Sequence, residues 1–182
     1  KETPIKDLVI IEPKVFGDER GFFQETYNKE SFAELGLNME FVQDNHSKSK
    51  KGVLRGLHFQ TKNVQGKLVR VTRGAVYDVA VDLRTNSPTF GEWYGVLLTE
   101  KNKIMFYVPE GFLTLEDDTE FLYKCTNLYS PEHDSGLRWN DPTINIDWKF
   151  EEFNITEEDL TISDKDKVQQ FFDKSSTYSK EN

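Results

Sequence analysis

The feature that most constrains this chain is a succession of short strand patterns interrupted by turn residues. Residues 75–83 show it well, because Tyr77, Val79 and Val81 fall on one side of the predicted strand and Asp78 on the other. A period of two residues is typical of a strand with one face in a core. Many such strands, spaced by Gly, Pro, Asn and Asp clusters, predict a mainly β, antiparallel sandwich or barrel.

The spacing of these strands also predicts local connections. The predicted strands 67–72 and 75–83 are separated only by Arg73-Gly74, which predicts a tight hairpin. Residues 113–126 predict a second hairpin around an acidic turn.

Two short helices are predicted in addition to the strands. Asn28 can cap a helix that runs through Leu35, with Phe32 and Leu35 as its apolar stripe and Gly36 as its end. A second short helix is predicted for residues 165–174.

Composition narrows the class of protein. The 182 residues suffice for one domain with a core, and neither a repeat nor a Gly/Pro/Ser-rich linker divides them. One domain is therefore expected over residues 1–182, with frayed ends.

A net charge of -9 argues against a nucleic-acid partner. No apolar run is long enough to span a membrane, and the single cysteine, Cys125, agrees with a cytoplasmic protein. Cys125 is expected in a buried strand.

The strand predicted for residues 53–60 contains an ionisable side chain, His58. An imidazole has an ordinary pKa near neutrality, so His58 in a cavity can act as a general base. A hydrogen-bonded histidine within the core fits the same pattern. The stretch alone leaves both interpretations open.

A set of short motifs resembles one enzyme family. The motifs are residues 17–23 (GDERGFF), 43–47 (QDNHS), 54–60 (LRGLHFQ), 65–70 (QGKLVR), 78–82 (DVAVD), 87–91 (SPTFG), 108–112 (VPEGF) and 139–141 (WND). Through these motifs, which span roughly residues 8–170, the chain resembles dTDP-4-dehydrorhamnose 3,5-epimerases. The resemblance implies a cupin-type jelly roll, a homodimer, and no metal or other cofactor. It also implies inversion of C3 and C5 of dTDP-4-dehydro-6-deoxy-D-glucose, which gives dTDP-4-dehydro-L-rhamnose.

The resemblance assigns four catalytic roles. His58 matches the base that removes a proton beside the C4 ketone, and Asp166 matches its carboxylate partner. Lys67 matches the group that stabilises the enolate oxygen, and Tyr123 matches the acid on the opposite face. Without the resemblance, Asp166 is a helix-start residue, Lys67 a solvated lysine and Tyr123 part of an aromatic core.

The resemblance also assigns residues that bind the nucleotide sugar. Cationic side chains match family positions near the pyrophosphate and the sugar, and polar side chains match family positions that contact the nucleotide. Tyr129 matches the aromatic residue that stacks on thymine, and Asp134 stands where the family often has Glu. In full, these residues are Arg20, Glu25, Gln43, Asp44, Asn45, Arg55, Tyr129, Asp134 and Lys165.

Arg55 and His58 are three residues apart, so a regular strand would place them on opposite faces. We therefore expect an irregularity at Gly56, or Arg55 reaching in from an edge or a second subunit.

One segment departs from the family pattern. The family reads Pro-x-Gly-Phe-Ala-His-Gly-Phe where this chain passes directly from Phe112 to Leu113. Either the sequence omits residues that the protein has, or the deletion is real. A deletion of four residues preserves the alternation of a strand but removes a histidine that faces the sugar. A catalytically impaired nucleotide-sugar binding cupin therefore stays open as an alternative. A C3-only epimerase, which shares the base and can differ in the acid, is a second alternative, although Tyr123 favours double inversion. A metal-dependent cupin oxygenase is disfavoured, because three histidines include no His-x-His pair.

Overall fold

The computed structural model describes residues 1–108 and 110–178, with residues 110 and 111 described by their backbone alone. Strands account for most of the regular structure. In chain order they are β1 (Val9–Ile11), β2 (Val15–Asp18), β3 (Gly21–Gln24), β4 (Gln43–Ser49), β5 (Val53–Gln60), β6 (Lys67–Arg73), β7 (Ala75–Val81), β8 (Trp93–Thr99), β9 (Met105–Val108), β10 (Glu110–Thr114), β11 (Thr119–Cys125), β12 (Asp134–Gly136) and β13 (Thr161–Ile162).

Two sheets form the body of the protein. One has the strand order β1-β9-β6-β11-β4 and the other the order β12-β5-β10-β7-β8, while β2 and β3 form a separate hairpin. All pairs are antiparallel except β13, which lies parallel to β5. Val69 and Phe121 of the first sheet share a buried cluster with Val76 and Leu98 of the second. This confirms the mainly β, cupin-type jelly roll.

The predicted hairpins are wrong, because each links strands of different sheets. β6 pairs with β9 and β11, whereas β7 pairs with β8 and β10. Between them Gly74 has a φ of 76°, and an added Cβ would lie 2.3 Å from the Thr119 hydroxyl oxygen. The link therefore carries the chain from the first sheet, across the core, to the second. In the same way β10 and β11 belong to opposite sheets.

Helix α1 (Lys29–Glu34) forms where predicted. The Asn28 side chain accepts hydrogen bonds from the backbone N–H groups of Glu30 and Ser31, and Gly36 follows the helix with a φ of 79°. Phe32 is buried, but Leu35 is exposed and forms no part of the apolar face.

Helix α2 (Asp164–Lys167) is shorter than predicted. Beyond it the chain is held by other contacts, because Gln170 bridges to Leu137 and the Phe172 N–H donates to the Asp141 carboxylate at 2.6 Å. In the part of the chain that the structure describes, no helix is long and apolar enough to cross a membrane.

Candidate active site

A polar cavity of about 360 Å³ opens between the two sheets. Strands of both sheets and two connecting segments contribute its walls. The lining residues are Gln43, Asn45, Ser47, Arg55, His58, Phe59, Gln60, Gln65, Lys67, Phe112, Tyr123, Tyr129, Asp134 and Lys165. Most of the predicted site residues are thus brought together, although they are distant in sequence.

His58 and Asp166 form a hydrogen-bonded pair at this cavity. The His58 Nε2 atom lies 2.6 Å from Asp166 Oδ1, and the two side chains are 31% and 4% exposed. A proton held on Nε2 by the carboxylate leaves the lone pair on Nδ1 of the neutral ring. The pair therefore fixes a tautomer that can accept a proton.

Strand β13 brings Asp166 to His58. Thr161 and Ile162 pair in parallel with Val53 and Leu54 at the start of β5, and α2 begins directly after them. The Ser163 side chain then caps α2 by accepting the Asp166 N–H at 3.1 Å. Local hydrogen bonds thus orient the carboxylate.

The environment keeps Asp166 ionised. Burial alone would raise the pKa of the carboxyl group, but the hydrogen bonds that it accepts from His58 and from the Gly56 N–H outweigh burial, so the pKa lies below its usual value. The Gly56 N–H lies 3.4 Å from Asp166 Oδ2.

An irregularity at Gly56 lets β5 present both Arg55 and His58 to the cavity. The register with β10 skips from Gly56 to His58, and Gly56 has a φ of 115°. The peptide bond between Gly56 and Leu57 is cis. Arg55 lines the cavity and donates to the Ser49 hydroxyl at 3.2 Å. The predicted irregularity is therefore present.

Lys67 and Tyr123 face the same cavity from the other sheet. Lys67 is 7% exposed at the start of β6, and its ammonium nitrogen lies 5.7 Å from the centre of the Tyr123 ring. Tyr123 lies on the adjacent strand β11. A cation and a phenol thus stand on the sheet opposite His58.

Tyr129, Asp134 and Lys165 form a linked group at the cavity edge. The Tyr129 hydroxyl donates to Asp134 Oδ2 at 2.8 Å, and Lys165 binds the same oxygen. The bond to the carboxylate raises the pKa of Tyr129. For Lys165, partial burial opposes ionisation, but the Asp134 carboxylate more than compensates and raises the pKa.

Strand β4 divides its polar residues between two faces. Gln43 and Asn45 are half-buried in the cavity wall and joined by a 3.1 Å hydrogen bond. Asp44 points away and forms an ion pair with Lys124 at 2.8 Å. Its place in the strand therefore separates Asp44 from the cavity.

Two further predicted binding residues lie outside the cavity. Arg20 is at the turn of the β2–β3 hairpin, 83% exposed and paired with Asp18 at 2.5 Å. Glu25 accepts hydrogen bonds from Asn28 and Ser31 at the start of α1. Neither side chain lines the pocket that contains His58.

Five residues that line the cavity were not predicted from the sequence: Ser47, Phe59, Gln60, Gln65 and Phe112. Ser47 shares the face of Gln43 and Asn45, so the alternation of β4 could have identified it. The segments 1–108 and 110–178 contain no group of three or more His, Cys, Asp or Glu side chains placed to hold a metal ion.

These features define a cupin-type jelly roll with an acid–base site between its sheets. A sequence model of dTDP-4-dehydrorhamnose 3,5-epimerases matches residues 2–174. The enzyme of that name from Methanothermobacter thermautotrophicus is 55% identical over 170 residues, which cover 91% of this chain and 90% of that protein. The chain belongs to the dTDP-4-dehydrorhamnose 3,5-epimerase family.

Crystal structures of similar proteins agree with this assignment. The dTDP-4-dehydrorhamnose 3,5-epimerase of Elizabethkingia anophelis has a TM-score of 0.87 and 51% identity, over 94% of both chains. The dTDP-6-deoxy-D-glucose-3,5-epimerase of Legionella pneumophila, in complex with dTDP-4-keto-L-rhamnose, has a TM-score of 0.86 and 47% identity. That match covers 93% of this chain and 89% of the Legionella chain.

Proposed function

We propose that this protein is an isomerase that inverts C3 and C5 of dTDP-4-dehydro-6-deoxy-D-glucose and yields dTDP-4-dehydro-L-rhamnose, a step of dTDP-L-rhamnose biosynthesis. The observation that carries the proposal is that His58, paired with Asp166 at 2.6 Å, lines the same cavity as Lys67 and Tyr123. Family membership supports the same activity. No cofactor is required, because the substrate's own ketone acidifies both carbons.

The reaction needs a base, a stabilised enolate and an acid. His58 removes the proton from the carbon beside the C4 ketone, and Asp166 stabilises the imidazolium that forms. The Lys67 ammonium stabilises the enolate oxygen, and the Tyr123 hydroxyl returns a proton from the opposite face. His58 then loses its proton to water and Tyr123 regains one from water, after which the same steps at the second carbon invert both centres.

The cavity edge is proposed to bind the nucleotide. Arg55 and Lys165 supply cations for the pyrophosphate, and Tyr129 covers thymine. Gln43, Asn45 and Asp134 supply polar contacts. The cavity location of these six residues supports the roles that the resemblance assigns to them.

We also propose that the protein is a homodimer acting in the cytoplasm. The β2–β3 hairpin exposes Phe16, Phe22 and Phe23, which are 53%, 60% and 69% exposed. Exposed apolar side chains of this size are typical of an interaction surface. A hairpin docked on a second copy would bring Arg20 and Glu25 towards the partner's cavity. Asp44, which lies on β4, is proposed to contact the nucleotide from outside the pocket. The single cysteine supports the cytoplasmic location.

Solvent exchange tests the activity. The protein is incubated with dTDP-4-dehydro-6-deoxy-D-glucose in D₂O, and NMR follows C3 and C5. We expect deuterium at both carbons, and none with His58→Ala, which should still bind dTDP. Deuterium at C3 alone would instead identify a C3-only epimerase. Binding of dTDP without exchange would identify a nucleotide-sugar binding cupin.

A further inference from the structure

The segment that carries Tyr129, residues 126–130, has neither helix nor strand. Its backbone is held by side-chain amides from other parts of the chain. The Gln65 amide donates to Asn127 O at 2.7 Å, and the Tyr129 N–H donates to Gln43 Oε1 at 2.9 Å. These bonds pair backbone groups that have no partner within a helix or a strand.

Gln60 makes the most extensive of these contacts. Its side-chain nitrogen donates to Asn63 O at 2.7 Å and to Leu128 O at 3.4 Å, and its oxygen accepts the Ser130 N–H at 2.7 Å. Gln60 is 4% exposed, and its bond to the Ser130 N–H is buried. One carboxamide therefore fixes the backbone on both sides of Tyr129.

Gln60 also lies beside the partner of the Tyr129 hydroxyl. In the antiparallel pair of β5 and β12, the backbone of Gln60 is in register with Asp134. Asp134 accepts the Tyr129 hydroxyl at 2.8 Å. The backbone of Gln60 thus positions Asp134, which holds the hydroxyl end of Tyr129. The side chain of Gln60 holds the backbone on both sides of Tyr129.

We propose that Gln60 is a positioning residue that fixes Tyr129 for nucleotide binding. This proposal rests on the proposed function, in which Tyr129 covers the thymine ring. Gln60 acts on binding and not on proton transfer, because its amide bonds backbone groups of two loops at the cavity edge.

The test replaces Gln60 by methionine, which has a similar shape but forms none of these bonds. The Ser130 N–H then loses its buried acceptor, and the loop departs from its position. We expect the Kd of dTDP, measured by calorimetry, and the KM of the nucleotide sugar to rise about tenfold, while kcat changes by less than about threefold. A drop in kcat at unchanged Kd would overturn the proposal.

Asn102 provides a control away from the cavity, at the surface. Its amide holds the turn between β8 and β9 by donating to Leu97 O at 2.8 Å and accepting the Thr99 N–H at 3.0 Å, and it does not line the cavity. Asn102→Leu should lower the melting temperature without changing the Kd of dTDP. An equal rise in Kd for both variants would mean that Gln60 is only structural.

A double variant tests whether Gln60 acts through Tyr129. We expect Gln60→Met with Tyr129→Ala to bind dTDP as Tyr129→Ala does alone, and independent, multiplied effects would contradict this. If Gln60→Met does not fold, Gln60→Glu keeps the acceptor for Ser130 and should have an intermediate Kd. Wild-type dTDP affinity in Gln60→Glu would also reject the proposal. Binding of dTDP requires no turnover, so failure of the epimerase activity would be seen separately in the exchange experiment.

Discussion

At the scale of single residues, the carboxylate of Asp166 determines which nitrogen of His58 carries the proton. Asp166→Asn places an amide beside the ring, and its NH₂ group can donate where the carboxylate only accepts. We expect kcat to fall by about 10²–10⁴-fold, the range of a general acid–base contribution, with little change in the Kd of dTDP. Steady-state kinetics with calorimetry measures both quantities.

Asp164 is the control for this substitution. It lies in the same short helix, but its side chain is fully exposed and pairs with Lys167 on the surface. Asp164→Asn should leave kcat unchanged. If Asp166→Asn kept full activity, the carboxylate would have no part in orienting the base.

The ionised carboxylate of Asp82 contributes to the stability of the folded protein. It is 3% exposed, and burial opposes its charge, but hydrogen bonds from Arg84, Ser87 and Thr89 lower its pKa to about 2. A lowered pKa stabilises the fold above the usual carboxyl range, by about 2 kcal/mol, and the stabilisation is lost as the pH falls from about 4 to 2.

Asp82→Asn should therefore lower the free energy of unfolding at pH 7 by about 2 kcal/mol or more and reduce its acid dependence. Urea unfolding at pH 7, 5 and 3 measures the difference, which should shrink at pH 3. Asp147→Asn removes a solvent-exposed pair with Lys149 and should have a much smaller effect. A constant difference at all three pH values would contradict the assigned pKa.

At the scale of elements, Gly74 directs the crossing from β6 to β7. Gly74→Ala would combine an unfavourable positive φ with contact against Thr119. We expect a loss of about 1–3 kcal/mol in the free energy of unfolding. Gly36 has a similar φ but nothing within 4 Å of an added Cβ, so Gly36→Ala measures the conformational cost alone. Equal losses in the two variants would show that Thr119 does not restrict this crossing.

Strands could be located from the sequence, but their partners could not. Alternation depends on which face of a strand is buried, and it is the same whether the next strand joins the same sheet or the opposite one. This is why β5 and β7 were predicted, while the links at Gly74 and between β10 and β11 were mistaken for hairpins. Asp166 could be assigned only through the resemblance, because it meets His58 through the parallel β13 pairing, which leaves no local pattern.

Strand β10 contains the step from Phe112 to Leu113, where the family pattern has four additional residues. Inserting Ala-His-Gly-Phe there changes the strand by an even number of residues, so the alternation beyond it is kept. Phe112 lines the cavity, so the new histidine would enter next to the site. We expect the insertion to raise kcat, measured by C3 and C5 exchange. An Ala-Ala-Gly-Phe insertion is the control, and equal rates for the two insertions would assign no role to the histidine.

At the scale of the whole molecule, the question is whether a second copy completes the site. A two-stranded hairpin is only marginally stable alone, and β2–β3 carries exposed phenylalanines on both strands. Docking on a partner would bury them. Replacing Phe22 and Phe23 by serine should therefore give a monomer in sedimentation experiments, with weaker dTDP binding.

If the protein forms the proposed homodimer, mixed dimers test whether Arg20 acts across subunits. Arg20→Ala and His58→Ala chains are each expected to be weakly active or inactive. In a mixed dimer, the cavity with an intact His58 would receive an intact Arg20 from its partner, so that one site regains its full set of residues. Half of the dimers would be mixed and one site in each would work, so subunit exchange should restore about a quarter of the wild-type activity. If Arg20 served its own chain, mixing would restore nothing, and the hairpin would have only a structural role in the dimer.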